Sequence, residues 1–335
     1  MKKVVVLGAT GKVGCYTSLY LKEKGYDVVA VGRRKSDNGF FSDHGIEYLS
    51  IDILNEKDFD KLPQEGIYGV IHYAATLPAT MQGYHPKTYV DINLNGTINV
   101  LDYVIKCKAK RFIFPKSWSD VMYLCGSLTP IPADAPVKYP SNDDHTVYAI
   151  TKNAAVDIVS DYSIKYGFKY YIPRFPNIFC YHPNPTYYKD GVKRWQGMWA
   201  IIEQAKKGED IELWGDPNAA RDFFYVKDCV QIIEKMLSSN GVSGTYNVGT
   251  GKAITRIEQL RGIIDVFSPK EHPSNIIYAP NKPSSPFFLL DISKTITELG
   301  YHPEYDYIKS LRDIKREMEE ERFTKLWGTR NDYLD

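Results

Sequence analysis

A glycine-rich turn directly after the first apolar run constrains the fold of this chain more than any other feature. The run Val4–Leu7 is followed by Gly-Ala-Thr-Gly-Lys-Val-Gly at 8–14 and then by an amphipathic stretch. Glycines there permit a tight turn and a close approach of backbone to a pyrophosphate, and the next helix offers free N–H groups at its N-terminus. The pattern predicts a dinucleotide-binding βα turn, and a purely structural turn is the alternative.

Short β-branched runs alternate with helical patterns through the first 175 residues. The predicted strands are Val4–Leu7, Val28–Val31, Glu47–Ile51, Val70–Tyr73, Phe112–Phe114 and Tyr170–Ile172. The predicted helices, in which apolar residues recur at three- and four-residue spacing, are Val13–Lys24, Thr88–Lys106 and Asp144–Tyr166. This alternation predicts an α/β fold with a doubly wound parallel Rossmann sheet.

The sequence changes character after Ile172, where four prolines stand among tyrosines up to Pro185. Prolines interrupt regular structure, so the chain is expected to leave the sheet there. The later segments Ile211–Trp214, Thr245–Val248 and Ile308–Glu321 are shorter and more mixed. We therefore predict a dinucleotide-binding domain of 1–175 plus part of 222–250, and a smaller mixed α/β C-terminal substrate lobe of 176–221 and 251–335.

Composition excludes several classes of partner. The chain has 42 Lys and Arg against 41 Asp and Glu, which gives no electrostatic footprint for nucleic acid or a membrane surface. No apolar run approaches the about 18 residues of a membrane span, and no signal-peptide pattern is present, so a cytoplasmic protein is expected. Five scattered cysteines and seven dispersed histidines support neither a metal site nor a disulfide framework.

The end of the second predicted strand bears on which dinucleotide is bound. An Asp or Glu for the ribose hydroxyls is usual about 20 residues after the glycine turn, but this chain has Arg33 and Arg34. Guanidinium groups attract a 2′-phosphate and can bind it bidentately. NADP(H) is therefore the preferred cofactor, and NAD(H) with two solvated loop arginines is the alternative.

Tyr148 and Lys152 form a Tyr-x-x-x-Lys pair on one face of a predicted helix. A nearby ammonium and a cationic nicotinamide would both favour tyrosinate, which makes Tyr148 the candidate proton shuttle. Ser117, just past the fifth strand, could hold the reacting oxygen and complete a Ser/Tyr/Lys triad. An ordinary surface pair and a turn-capping serine are the alternatives.

With these pieces together, the chain resembles the NAD(P)-dependent epimerase/dehydratase family, the extended short-chain dehydrogenases that include UDP-glucose 4-epimerase. The resemblance continues through further motifs in order, namely Asn93–Thr97, Pro173–Asn177, Leu213–Asp216, Arg221–Asp228 and Tyr246–Gly251. It implies a nucleotide-diphosphate sugar as substrate and a homodimer that pairs the two long helices Thr88–Lys106 and Asp144–Tyr166.

The resemblance also assigns roles to individual residues. Those placed along the cofactor, besides the arginine pair, are Gly8, Thr10, Gly11, Lys12, Val13, Gly14, Asp52, Ile53, Ala74, Ala75, Lys152 and Phe175. Those placed along the nucleotide sugar are Thr76, Ser117, Asn177, Trp214 and Arg221. Arg221 suits a diphosphate because its guanidinium is a fork of donors, although an arginine followed by Asp222 can also be a structural ion pair.

The segment around Ser117 departs from the family pattern. Lys116 and Trp118 are bulky neighbours, which we expect to reshape the sugar pocket. The dehydratase branch has an Asp-Glu pair directly after its catalytic hydroxyl residue, whereas here Trp118 and Ser119 follow and Asp120 comes one place too late. Ser119 also stands where epimerase-reductases related to GDP-fucose synthase carry a cysteine. Dehydration and C3/C5 epimerisation by that mechanism are therefore disfavoured.

Three functions remain open on the sequence. The first is a nucleotide-sugar epimerase acting at C4 through a transient 4-keto sugar. The second is an NADPH-dependent 4-ketoreductase of a nucleotide-linked keto-sugar, which the two arginines favour. The third is a non-catalytic nucleotide-binding regulatory protein, which the presence of Ser117, Tyr148 and Lys152 together disfavours.

Overall fold

The computed structural model describes residues 1–141 and 144–334. Its strands, numbered along the chain, are β1 (Lys3–Leu7), β2 (Asp27–Gly32), β3 (Glu47–Ser50), β4 (Ile67–His72), β5 (Arg111–Ile113), β6 (Lys116–Ser117), β7 (Lys169–Phe175), β8 (Ile178–Phe179), β9 (Thr186–Lys189), β10 (Val192–Trp195), β11 (Ile211–Trp214), β12 (Ala220–Asp222), β13 (Phe224–Tyr225), β14 (Gly244–Asn247), β15 (Ala253–Thr255) and β16 (Ile276–Ala279).

The helices carry their own numbers along the chain. They are α1 (Lys12–Glu23), α2 (Phe40–Asp43), α3 (Pro86–Tyr89), α4 (Gly96–Lys106), α5 (Thr146–Tyr166), α6 (Gly197–Lys206), α7 (Val226–Ser238), α8 (Arg256–Phe267), α9 (Ser293–Leu299), α10 (Tyr307–Glu319) and α11 (Thr324–Trp327). Short 3-10 turns cover Glu56–Lys61, Pro78–Thr80, Trp118–Leu124 and Asn331–Tyr333, and a π-helical turn covers Val90–Asn95.

A parallel sheet forms the centre of the molecule. Seven strands follow one another in the order β14-β7-β5-β4-β1-β2-β3, and the two-residue β6 pairs with the end of β7. All of these pairings are parallel. The six predicted strands all lie in this sheet, which confirms the α/β doubly wound fold.

Both faces of the sheet are covered, and β1 shows how. Val4 and Val6 belong to one buried cluster, whereas Val5 and Leu7 belong to another on the opposite face. Successive side chains of a strand point to opposite faces, so a continuous apolar strand requires helices on both sides. One cluster contains α1 and α7 side chains, and the other contains α4 and α5 side chains.

One predicted helix is interrupted. The sequence predicts a continuous helix over Thr88–Lys106, but the chain forms α3, then the π-helical turn, then α4. The turn contains Asn93, which is buried and bonded to a neighbouring loop. Such π-helical turns are frequent at functional sites because they redirect individual side chains.

Beyond β7 the chain forms short pairs of strands outside the main sheet. They are β8 with β13, β9 with β10, β11 with β16 and β12 with β15. The parallel pair of β8 and β13 places Asn177 near the segment that begins at Arg221. The bounds of the two predicted domains stay a prediction.

Disulfide bonds, metal-binding clusters and membrane-spanning helices are not found in residues 1–141 and 144–334. The five cysteines are free thiols there, and four of them are buried. No cluster of His, Cys, Asp or Glu suitable for a metal ion occurs in the same residues. A membrane-spanning helix of sufficient length and hydropathy is likewise not found among them.

Candidate functional site

The glycine turn after β1 requires glycine at two of its positions. Gly8 has a φ of +82°, and a Cβ there would lie 2.7 Å from the main-chain nitrogen of Ala74. A Cβ on Gly14 would lie 2.2 Å from the carbonyl oxygen of Gly8. The turn is thus pressed against the end of β4 and against its own helix. Gly11 caps α1 without a side-chain hydrogen bond, so the first-turn amides remain open to an anion.

The two arginines after β2 differ in their surroundings. Arg33 is exposed. Arg34 donates from Nη1 to the carbonyl oxygen of Leu326 at 2.7 Å, and its own carbonyl oxygen accepts from the Tyr48 hydroxyl at 2.7 Å. The guanidinium that was expected to meet a 2′-phosphate is therefore engaged by the C-terminal part of the chain.

The loops after β3 and β4 hold the remaining predicted cofactor residues. Asp52 accepts the main-chain N–H of Leu54 at 3.0 Å, and Ile53 is buried against Gly96. Ala74 and Ala75 lead to Thr76, whose N–H donates to Asn93 Oδ1 at 2.8 Å and whose carbonyl accepts from Asn93 Nδ2 at 3.1 Å. The two hydrogen bonds from Asn93, in the π-helical turn, thus hold this loop beside the glycine turn.

The predicted triad comes together at the carboxyl end of the sheet. Tyr148 and Lys152 lie in the first turns of α5, with 7% and 3% of their surfaces exposed. Ser117 ends β6, accepts the N–H of Ser119 at 3.2 Å, and interacts with the side chain of Tyr148. The Lys152 ammonium lies 3.5 Å from the ring centre of Phe114. Ser117 and Tyr148 therefore interact directly, and Lys152 lies one helical turn from Tyr148 with its ammonium against Phe114.

Burial controls the protonation of the triad in the chain alone. It raises the pKa of Tyr148, with smaller contributions from Tyr89 and Asp120, while the interaction with Ser117 lowers it. Burial also lowers the pKa of Lys152. We expected the ammonium to lower the pKa of Tyr148, but Lys152 is not among its causes. The chain alone therefore keeps the phenol protonated.

Lys116 does not face the predicted sugar pocket. Its ammonium is buried and lies 2.8 Å from Asp120 Oδ2, and Arg174 Nε lies 3.1 Å from Asp120 Oδ1. A carboxylate between two cations compensates charges that would otherwise be costly to bury. Our expectation that Lys116 reshapes the pocket is therefore wrong, because its charge is paired behind Ser117. Asp120, which stands one place too late in the sequence for a dehydratase acid, is the centre of this buried ion cluster.

The predicted substrate residues are distributed over the second half of the chain. Asn177 is exposed beside β8, and Trp214 is 48% exposed with its Nε1 donating to Glu212 at 2.9 Å. Arg221 donates from Nε to the carbonyl oxygen of Pro286 at 3.0 Å. Asp222 instead accepts the N–H and hydroxyl of Thr250 at 2.7 and 2.6 Å. The alternative of an Arg221–Asp222 ion pair is thus not realised.

Phe288 connects Arg221 with the triad. It forms a backbone bridge with Arg221, and its ring lies 4.6 Å from the ring of Trp118, the neighbour of Ser117. Phe175, the last residue of β7, packs its ring 6.4 Å from that of Tyr73. Phe288 thus links the Arg221 segment to the residue beside Ser117, and Phe175 lies next to the end of β4.

A C-terminal segment that the sequence did not single out also reaches the glycine turn. We call Arg322–Leu334 the C-terminal strap. Trp327 donates from Nε1 to the carbonyl oxygen of Thr10 at 2.8 Å, and its ring lies 4.4 Å from His182. Phe323 packs 4.9 Å from Tyr16 on α1. An aromatic cluster without local periodicity is the only sequence signal for this segment.

Comparison with known proteins agrees with this architecture. Residues 4–249 match the model of the NAD dependent epimerase/dehydratase family. A UDP-glucose 4-epimerase of Dictyostelium discoideum is 25% identical over 93% of this chain and 94% of its own length. A UDP-glucuronate 4-epimerase of Arabidopsis thaliana is 25% identical over 93% of this chain and 76% of its own.

Solved structures share the fold. The UDP-glucose 4-epimerase of Thermotoga maritima, solved with UDP-glucose, superposes with a TM-score of 0.76 at 21% identity. The superposition covers 96% of this chain and 99% of that one.

Proposed function

The chain belongs to the NAD dependent epimerase/dehydratase family, and we propose that within it the protein interconverts the C4 epimers of a nucleotide-activated sugar. The observation that carries the proposal is the contact of Ser117 with Tyr148 beside buried Lys152, with Trp118 and Ser119 where a dehydratase needs its two acids. Relatives named as 4-epimerases of UDP-glucose and UDP-glucuronate support it.

The glycine turn and the loops beside it fit a dinucleotide. Gly8 and Gly14 let the turn pack closely against the end of β4 and against its own helix, and the α1 amides at that turn have no side-chain cap, as a pyrophosphate site needs. When bound, the nicotinamide would accept a hydride from C4 and return it to the other face of the transient 4-keto sugar. We infer that NAD(H) is the cofactor, since the family whose model matches this chain is NAD dependent and the guanidinium of Arg34 is bonded to Leu326.

Tyr148 is the group that would move the proton. Its Oη takes the proton of the C4 hydroxyl and later returns it, while the Ser117 hydroxyl donates to the same sugar oxygen. Because burial raises the pKa of Tyr148 in the chain alone, formation of tyrosinate depends on positive charge brought close to it. Lys152, one turn along the helix, would supply part of that charge once cofactor and substrate are bound.

We assign the substrate side to the residues that the resemblance names there. Arg221 and Asn177 would bind the diphosphate, Thr76 would contact the sugar, and Trp214 would line the pocket for the base. The substrate would thus be a nucleotide-diphosphate sugar. The homodimer stays a prediction.

The test is an activity assay without added cofactor. Purified protein, incubated with UDP-, GDP-, CDP- and dTDP-sugars, is expected to convert at least one of them to its C4 epimer, detected by chromatography. Tyr148→Phe should lower the rate about 100-fold or more. Tyr166→Phe, on the same helix with an exposed ring, is the matched control and should retain the rate.

Two outcomes would contradict this proposal. Turnover that requires stoichiometric NADPH and a 4-keto sugar would favour the ketoreductase. An equal rate for Tyr148→Phe and the wild-type protein would remove the assigned chemistry altogether.

A further inference from the structure

A second arginine lies beside Arg221. Strand β12 pairs antiparallel with β15, so that Arg221 is opposite Ile254 and Ala220 is opposite Thr255. Arg256 follows Thr255 directly as the first residue of α8. In antiparallel strands, a residue and the one two places beyond its partner are diagonal neighbours on one face. Burial lowers the pKa of Arg256, and the nearby charge of Arg221 lowers it further.

Neither guanidinium has a carboxylate partner among the residues that the structure describes. Arg221 has one side-chain hydrogen bond, to the Pro286 carbonyl oxygen, and Asp222 is occupied by Thr250. For Arg256, no side-chain hydrogen bond, ion pair or ring contact occurs within 1–141 and 144–334. Its guanidinium nitrogens are not among the fully buried unpartnered atoms, so they keep access to solvent.

Two other arginines that are largely removed from solvent are neutralised by carboxylates. Arg174 is paired with Asp120, and Arg322 is paired with Glu317. Arg221 and Arg256 differ from them, since neither has a carboxylate partner among the described residues and burial lowers the pKa of both. Two such cations in one partly buried place favour binding of an anion with more than one negative charge.

We propose that Arg256 joins Arg221 in binding the two phosphates of the nucleotide, so that the site selects a nucleoside diphosphate over a monophosphate. The inference rests on the proposed function for the presence of a nucleotide sugar, but it concerns binding and not turnover. Each of two guanidinium groups can bind one phosphate bidentately, whereas a single guanidinium cannot bind both phosphates in this way. Arg256 thereby determines specificity for the nucleotide half of the substrate.

The experiment measures nucleotide affinity by calorimetry on the whole protein. UDP and UMP are titrated into the wild-type protein, Arg256→Gln, Arg256→Lys and the control Arg261→Gln, which removes an exposed arginine from the same helix. Arg256→Gln should raise the Kd for UDP about 10-fold or more, because it removes hydrogen bonds between charged groups. The Kd for UMP should change less than about 3-fold.

If circular dichroism shows that Arg256→Gln folds poorly, Arg256→Lys is the second variant that tests the proposal. It keeps the charge without the fork, so an intermediate Kd for UDP is expected. Arg261→Gln should bind UDP as the wild-type protein does.

Four results would overturn the inference. They are an unchanged Kd of Arg256→Gln for UDP, an equal loss for UMP and UDP, an equal loss in Arg261→Gln, and failure of the wild-type protein to bind any of UDP, GDP, CDP and dTDP. Failure of the proposed function is distinguishable, because it would appear as absent epimerisation while Arg256→Gln still weakens UDP binding.

Discussion

Lys152 directs its ammonium at the ring of Phe114, 3.5 Å from the ring centre, in a place where only 3% of the lysine is exposed. A cation over an aromatic face gains some attraction, but burial without a carboxylate disfavours the charge and lowers its pKa. The contact therefore contributes little to the free energy of unfolding. We expect the buried lysine to serve the proton transfer at Tyr148 instead.

Lys152→Met is expected to separate stability from activity. The thioether side chain fills a similar volume without a charge, so the free energy of unfolding in urea should stay equal or rise. The epimerase rate should fall about 100-fold or more, since tyrosinate loses its neighbouring charge. Lys165→Met, an exposed lysine of the same helix, is the control and should change neither quantity. A large loss of stability in Lys152→Met would instead identify a structural lysine.

Asp120→Asn is expected to destabilise the fold strongly. It would leave the buried cations of Lys116 and Arg174 without a carboxylate, and breaking a buried ion pair costs about 3–5 kcal/mol. Lys116→Met should cost less, because Arg174 still neutralises Asp120. The surface pair of Asp60 and Lys106 provides the control, for which Asp60→Asn should cost less than about 1 kcal/mol in urea unfolding. Equal effects of Asp120→Asn and Asp60→Asn would contradict this account.

Trp327→Phe is expected to loosen the bound cofactor. The change keeps a ring against Phe323 and His182 but removes the N–H that holds the carbonyl oxygen of Thr10. Loss of one such hydrogen bond should speed release of NAD about 3-fold or more, followed by chromatography of the NAD retained after dilution. Trp195→Phe is the control, since no described acceptor bonds its indole N–H. Unchanged release in Trp327→Phe would make the strap irrelevant to the cofactor.

His72 is expected to make stability depend on pH. Burial, assisted by the charge of Lys152, lowers its pKa from 6.5 to about 3. A base with a lowered folded-state pKa stabilises the fold above pH 6.5, and that contribution is lost as the pH falls toward 3 because the unfolded state binds the proton more readily.

The measurement compares wild type with His72→Gln by urea unfolding between pH 7 and pH 5. The difference in unfolding free energy, wild type minus variant, should shrink as the pH falls. A difference that stays constant or grows would show that protonation of His72 does not oppose folding.

The central part of the fold was predictable because its signals are local. Within about twenty residues, the local sequence predicts a strand at Val4–Leu7, a turn at Gly8–Gly14 and a helix after it. The structure has each of them. The Tyr148–Lys152 spacing likewise holds because one helix carries both residues. Periodicity and turn chemistry fix such features without knowledge of the rest of the chain.

The remaining features depend on contacts between distant residues. Lys116 has no local sign that it would turn away from the pocket, because the ion cluster around its partner Asp120 is completed by Arg174 on another strand. The break in the predicted 88–106 helix serves the bond from Asn93 to Thr76, which helical periodicity does not encode. The bond of Arg34 to Leu326 joins residues 292 positions apart. Such pairings decide how the site is assembled, and a single sequence does not display them.

The bond between Trp327 and Thr10 spans 317 positions. During synthesis on the ribosome, the first βα unit would emerge long before the tryptophan that fastens its loop. A nascent chain can thus form its early strands while the nucleotide cradle still lacks one of its supports. Firm capture of the dinucleotide would then come late in maturation, after the residues around Trp327 leave the exit tunnel.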